Sequence, residues 1–304
     1  MKFKTIIDKT GRQRVAVEVN HKWKIIAGET NLLKCLDKKE IELSALIRSE
    51  YPQDDYQETI PFQPSAYRDF MLYEKHAIDA ARGFVKKYMS HLLPIVNTYE
   101  KLFRRPFPKL KPKKRYYQHP IYYMGNHLNF ISNNDSIAIP AYTKELDYEL
   151  ELAVVITKPL KNASIEEVND AIGGYLILND FSARDVQLDE MESGFGPMKT
   201  KNFGSAISSI VVSKEGLNNQ VDDLKVKVII NDKIIAKSNT QGKLYSFQEA
   251  IAYASWEEQL HPGEIFGSGT IPGCTGIENG VMLKKGDTIT LEVEGIGQLT
   301  NTII

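Results

Sequence analysis

From Tyr116 to the C-terminus, apolar residues come in short runs of strand length, set apart by Gly- and Asn-containing turns. Asp147 to Ile156, Gly173 to Leu178, Ala206 to Val212, Val226 to Ile230 and Thr288 to Val293 read as strands by composition. Only two short pieces of helical texture, Ser164 to Asp170 and Ser246 to Ser255, lie among them. Parallel strands need a crossover between each pair, usually a helix, and these strands do not alternate with helices. The expectation is a mixed, β-dominated fold and not a doubly wound α/β sheet.

Residues 1–60 read as a small strand-rich module. Val15 to Val19 and Trp23 to Ile26 are β-type runs, and Gly11 and Gly28 mark turns. A helical stretch follows at Ile41 to Arg48, then a polar break over residues 49–59. From about Ser65 the pattern turns helical. Phe70, Tyr73, Ala77, Ala81, Phe84 and Tyr88 recur at three- and four-residue spacing and form one apolar face. Residues 101–115 carry eight basic residues and three prolines, which suits neither regular helix nor central strand.

Composition narrows the function. The 304 residues include 38 Lys+Arg and 39 Asp+Glu, a net charge of -1, which argues against a globally basic nucleic-acid binder. Apolar runs such as Leu152 to Ile156 fall far short of the roughly 18 residues of a membrane span. The N-terminus has no signal-peptide core, and Cys35 and Cys274 make no disulfide framework. The chain reads as soluble, reduced and cytoplasmic. The basic stretch 101–115 could meet nucleic acid or an acidic partner, but it reads first as a solvated linker. No nucleic-acid or membrane partner is expected.

Chemistry concentrates in two segments. On a continuous strand, Asp147, Glu149 and Glu151 project from one face and Tyr148, Leu150, Leu152, Val154 and Ile156 from the other. Same-face acids repel, and burying them without a partner costs several kcal/mol or a bound proton. Either a divalent cation balances them or the strand is an edge with its acidic face in water. Further on, the apolar run Gly173 to Leu178 ends in Asn179-Asp180. Asp180 at that strand mouth is a ligand candidate, with helix N-cap as the alternative. Glu149, Glu151 and Asp180 without a nearby His or Cys favour a hard ion: Mg²⁺, Mn²⁺ or Ca²⁺.

Together these motifs closely resemble the fumarylacetoacetate hydrolase superfamily. The resemblance rests on Asp147 to Ile156, Asn179 to Gln187, Gly196-Pro197, Lys201 to Gly204, Leu260 to Thr270, Leu283 to Asp287 and Glu294 to Asn301. It runs in unchanged order from about Ser65 to Ile304 and is weak over residues 1–60. It implies a catalytic domain of rolled β-sheets, here residues 63–304, behind an N-terminal module of residues 1–62. It also implies an Mg²⁺ or Mn²⁺ site and a homodimer.

Arg68 to Ala77 matches the segment from which the longer members take a further metal carboxylate and a catalytic His. The resemblance thus makes Asp69 the fourth metal ligand beside Glu149, Glu151 and Asp180, and His76 the general base. If helical, the two would share one flank, because positions seven apart differ by only ~20°. By the same resemblance Arg184, Gln187 and Lys201 form the substrate-binding and oxyanion set, and Tyr123 and Thr270 line the pocket. Glu278 stands where the family places the Glu that orients the His. Met191 replaces a substrate-contacting Tyr and leaves the substrate open.

The implied reaction is hydrolysis of a carbon–carbon bond in a small 1,3-diketo acid. A decarboxylase, tautomerase or dehydratase on the same fold is the alternative, and a non-enzymatic ligand-binding relative a more distant one. His21, His91, His119, His127 and His261 fall into no defensible pairing.

Overall fold

The computed structural model describes residues 1–50, 56–217 and 220–304. Among these residues the largest sheet has 13 strands. The main path runs through Ile47–Glu50, Lys22–Ile26, Gln13–Val19, Lys2–Asp8, Ile210–Ser213, Ile172–Asn179, Leu150–Ile156, Ile265–Gly267, Tyr67–Phe70 and Tyr122–Gly125. Tyr56–Glu58, Ser205–Ile207 and Phe130–Ile131 branch from it. A second sheet joins Lys233–Asn239, Lys225–Ile230, Thr288–Val293, Gly297–Ile303 and Ser136–Ile137.

The two central strands, Leu150–Ile156 and Ile172–Asn179, are buried at every residue, as their unbroken apolar runs require. Their side chains divide by alternation. Leu152, Val154, Tyr175 and Ile177 share a core with Val226, Val228, Leu291 and Leu299 of the second sheet. Ala153, Val155, Leu176 and Leu178 pack with Phe3, Val15, Val17 and Ile26 on the opposite side. The outer sheet alternates buried and partly exposed residues along Thr288–Val293, as a sheet with one dry face should.

The N-terminal strands form as expected, and Lys2–Asp8 pairs antiparallel with Ile210–Ser213, carrying one sheet from the first residues into the centre. The helical stretch is Glu40–Leu46, ending in the strand Ile47–Glu50; residues 51–55 of the polar break lie outside the described residues. Ser164 and Ser246 open the two internal helices, Ile165–Ala171 and Phe247–Ala254, each through a capping box with the Glu three residues on.

Three local expectations change. Residues 67–70 are a strand, not the start of a helix. Tyr67–Phe70 is wholly buried and pairs parallel with Ile265–Gly267 and antiparallel with Tyr122–Gly125, and those ladders override the three-and-four spacing. The helix begins only at Glu74 and runs to Tyr88, so Asp69 and His76 sit on different elements. Asp147 to Ile156 is not one strand either: Leu146–Asp147 pairs with Ser182–Ala183, and a break at Tyr148-Glu149 precedes Leu150–Ile156. Ala206 to Val212 is likewise split at Ser208-Ser209. In the stretch 101–115, Lys101 to Phe103 close the helix Leu93–Phe103, which a left-handed Arg104 (φ 51°) ends; beyond it only short 3₁₀ turns, Pro108–Leu110 and Lys114–Tyr117, interrupt the loop.

Helix Glu74–Tyr88 lies against the short turn of helix Gly276–Asn279, and Gly83 makes that approach feasible. A Cβ there would come within 2.1 Å of the Ile277 carbonyl oxygen. Gly83→Ala should therefore cost about 1–3 kcal/mol through overpacking, read as a lower melting temperature. An unchanged melting temperature would mean that the helix does not sit this close.

Candidate active site

Three carboxylates meet where the central strands end. Glu151 comes from Leu150–Ile156, Asp69 from Tyr67–Phe70, and Asp180 follows the last residue of Ile172–Asn179. All three are buried, and one oxygen from each lies within 4.8 Å of the others. Gly267 sits between the strands of Asp69 and Glu151, paired with Asp69 on one side and Ala153 on the other. A Cβ at Gly267 would come 2.4 Å from Asp69 Oδ1 and 2.6 Å from Glu151 Oε2. Only glycine leaves room for both acids. The Gly269 N–H donates to Glu151 Oε2 (3.1 Å) and Asp69 Oδ1 (3.3 Å), while Glu151 Oε1 has no hydrogen-bond partner.

The electrostatics follow from this crowding. Burial, then the Asp180 charge, pushes Asp69 from 3.8 up to about 8. Burial with Asp69 and Asp180 drives Glu151 well above the ordinary carboxylate range. Burial raises Asp180 as well, against the pull of Lys201. An all-oxygen donor set with an orphaned buried oxygen fits a hard divalent cation. Asp69, Glu151 and Asp180 would hold it.

Glu149 stands one link away. Its two oxygens are taken by Arg184 Nη2 and Lys201 Nζ, and Lys201 and Arg184 hold it far below the ordinary range although burial pushes the other way. Lys201 Nζ also donates to Asp180 Oδ2 (2.5 Å), so its buried ammonium bridges Glu149 to the cluster. Tyr123 donates its hydroxyl to Asp180 Oδ2 (2.7 Å), and Ser205 Oγ to Asp180 Oδ1 (3.3 Å). Asp180 caps no helix: Arg184–Glu192 begins after Ala183, which makes no side-chain cap bond. Arg184 Nη1 donates to Gln187 Oε1 (2.7 Å), and Thr270 is buried directly after Gly269.

Asp147 is not part of the three-acid cluster. It accepts from Gly276 N–H (2.6 Å), Ile277 N–H (2.9 Å), Thr275 Oγ1 (2.8 Å) and Arg184 Nε (2.7 Å). That anchors the turn bearing Glu278, whose Oε1 meets His76 Nδ1 while its Oε2 accepts from Gly273 N–H (2.6 Å). The tautomer that donates Nδ1–H to Glu278 would leave the lone pair on His76 Nε2. Sequence reasoning missed the anchoring role of Asp147 and the clearance at Gly267. Both depend on partners more than a hundred residues away.

A β-rich scaffold that gathers a buried carboxylate cluster, a paired lysine and a His–Glu pair is an enzyme-type site. The chain belongs to the fumarylacetoacetate (FAA) hydrolase family, whose C-terminal domain matches residues 96–304. Asp69 and His76 precede the matched region. The fumarylacetoacetate hydrolase domain-containing protein 2 homolog of Dictyostelium discoideum is 36% identical over 179 residues, 56% of this chain and 59% of that protein. A mitochondrial oxaloacetate tautomerase of Rattus norvegicus is 31% identical over 190 residues, 62% of this chain and 59% of that protein. The fumarylacetoacetate hydrolase of Exiguobacterium antarcticum superposes with a TM-score of 0.74 at 20% identity, covering 100% of this chain and 99% of that one. The expected family and β-dominated fold are thus borne out. Among the described residues no helix is long and apolar enough to cross a membrane.

Raised carboxylates have a signed consequence. Metal-free native protein should hold more protons than the unfolded chain once pH exceeds the ordinary Asp value of 3.8. Its stability should fall as pH climbs toward the Asp69 value of about 8. A cation replaces those protons, so Mn²⁺ should raise the melting temperature more at pH 8 than at pH 6. Equal gains at both pH values would contradict the charge balance described.

Proposed function

We propose that this protein is a divalent-metal-dependent hydrolase that cleaves a carbon–carbon bond of a 1,3-diketo acid, such as an acylpyruvate. The observation that carries the reading is the His76–Glu278 pair, because hydrolysis needs a base for water as well as a site for the dicarbonyl. Mg²⁺ or Mn²⁺ is the favoured ion, with Ca²⁺ compatible with the same oxygen donors; when bound it would polarise the oxygens of the enolised diketone.

The protein's own groups divide the work. His76 Nε2 takes a proton from the water that attacks the acyl carbonyl carbon, and Glu278 stabilises the imidazolium. The carbon–carbon bond then breaks, its electron pair leaving as an enolate that is reprotonated at carbon. Lys201 is kept charged through neutral pH: burial opposes its charge, but Asp180 and Glu149 outweigh burial and raise it. It donates to the oxyanion and then to the enolate, with Arg184 and Gln187 ordering that side. Tyr123 and Thr270 bound the pocket, and Glu149 holds Lys201 in place. A second copy of the chain, forming a homodimer, and a cytoplasmic setting belong to the same reading.

A tautomerase is the second reading, favoured by the oxaloacetate tautomerase among the relatives. It needs His76 only to move a proton and consumes no water. The test is an acylpyruvate panel in ¹⁸O water with oxaloacetate alongside. The expected result is pyruvate plus the acyl acid, label in the new carboxylate and no CO₂. His76→Ala should lower kcat by about 10²–10⁴ with Mn²⁺ affinity retained. Oxaloacetate enol–keto exchange without acylpyruvate cleavage would establish the tautomerase instead.

A further inference from the structure

The helix Arg184–Glu192 carries Arg184 and Gln187 into the site, and near its far end Glu190 turns to the loop that returns toward Lys201. Both Glu190 oxygens are occupied by that loop. Oε2 accepts from Met198 N–H (2.7 Å) and Thr200 N–H (3.0 Å), and Oε1 accepts from Lys199 N–H (2.8 Å). These three consecutive N–H groups immediately precede Lys201. They form a small concave anion site, of the kind that successive backbone donors make, filled by a carboxylate of the chain itself.

We propose that Glu190 is a positioning residue that fixes the Lys201 ammonium in the site. The proposal rests on the reading of Lys201 as the group that stabilises the oxyanion and enolate. An ammonium has three donors. Glu149 and Asp180 take two of them, which leaves the third for a substrate oxygen. Where that third N–H points is set by the lysine's backbone. Downstream, the backbone is held through Asn202, whose Oδ1 accepts from Asn126 N–H (2.9 Å) and whose carbonyl accepts from Asn129 Nδ2 (2.8 Å). Upstream, Ser193, Gly194 and Phe195 are exposed, and Gly194 (φ 83°) and Gly196 (φ 80°) take left-handed turns, so that stretch offers little support.

Beside Glu190 this stretch is held through its carbonyls: Tyr142 donates its hydroxyl to Lys199 O (2.6 Å), Ala183 N–H donates to Thr200 O (2.9 Å), and Met198 O accepts from Asn202 N–H (3.0 Å) and Lys201 N–H (3.3 Å). The three N–H groups depend on the carboxylate, and Thr200 is fully buried, where a lost bond is costly. A glutamine offers one acceptor oxygen to three donors and can replace the clamp only in part.

Steady-state kinetics on the metal-loaded protein test this, with acetylpyruvate as substrate and oxaloacetate if only tautomerisation occurs. Glu190→Ala should lower kcat by about 10–100-fold, the scale of a small misplacement, with KM and Mn²⁺ affinity little changed. Glu190→Gln should fall between Ala and wild type, with each variant assayed well below its own melting temperature. In a Lys201→Met background, Glu190→Ala should have no further effect on the residual rate. Wild-type kcat in Glu190→Ala would overturn the proposal, and so would losses that simply multiply in the double variant, because a merely structural role gives that pattern. If Glu190→Ala does not fold, Glu190→Gln carries the same cycle. Wild-type kcat in Lys201→Met alone would instead remove the role given to Lys201, a failure visible before Glu190 is touched.

Discussion

Asp69, Glu151 and Asp180 converge in one buried cluster, where each loses much of its hydration and feels the charge of the others. Desolvated carboxylates in mutual contact do not stay ionised without compensation. Much of the local architecture reads as the means of holding them there. The glycine at 267 leaves the volume they occupy, and the Gly269 N–H offers a donor that is satisfied only if the acids are present. The sheet supplies rigidity, because Leu150–Ile156 and Ile172–Asn179 are locked on both faces and cannot splay to relieve repulsion.

A chain of alternating charges leads outward from this cluster. Asp180 binds Lys201, Lys201 binds Glu149, Glu149 binds Arg184, and Arg184 binds Asp147. Each buried ion has a partner, so the network is tolerable; removing one member would strand another. Asp147 then anchors the N–H groups of Gly276 and Ile277, from which Glu278 reaches His76. Arg184 and the His76–Glu278 pair therefore both depend on one buried carboxylate.

Part of this was legible in the sequence and part was not, for identifiable reasons. Glu151 and Asp180 could be read because they interrupt or end apolar runs too continuous to lie on a surface. Asp69 could not be placed by periodicity, since Phe70 and Tyr73 fit a helical face. The strand there is dictated by Ile265–Gly267, nearly two hundred residues away. Alternation grouped Asp147 with Glu149 and Glu151, but the break at Tyr148-Glu149 sends the three to different tasks. The His76–Glu278 pairing followed from the family resemblance and is realised in the fold through Gly83, whose role no local pattern announces.

The central claim is that the buried acids exist to hold one hard cation. It is tested most directly by crystals of the protein grown with Mn²⁺ and measured at the manganese absorption edge. One anomalous peak per chain, bounded by carboxylate oxygens of Asp69, Glu151 and Asp180 and lost in Glu151→Gln, is the predicted result. No peak at that position, or an ion bound through histidine nitrogens elsewhere, would contradict the account.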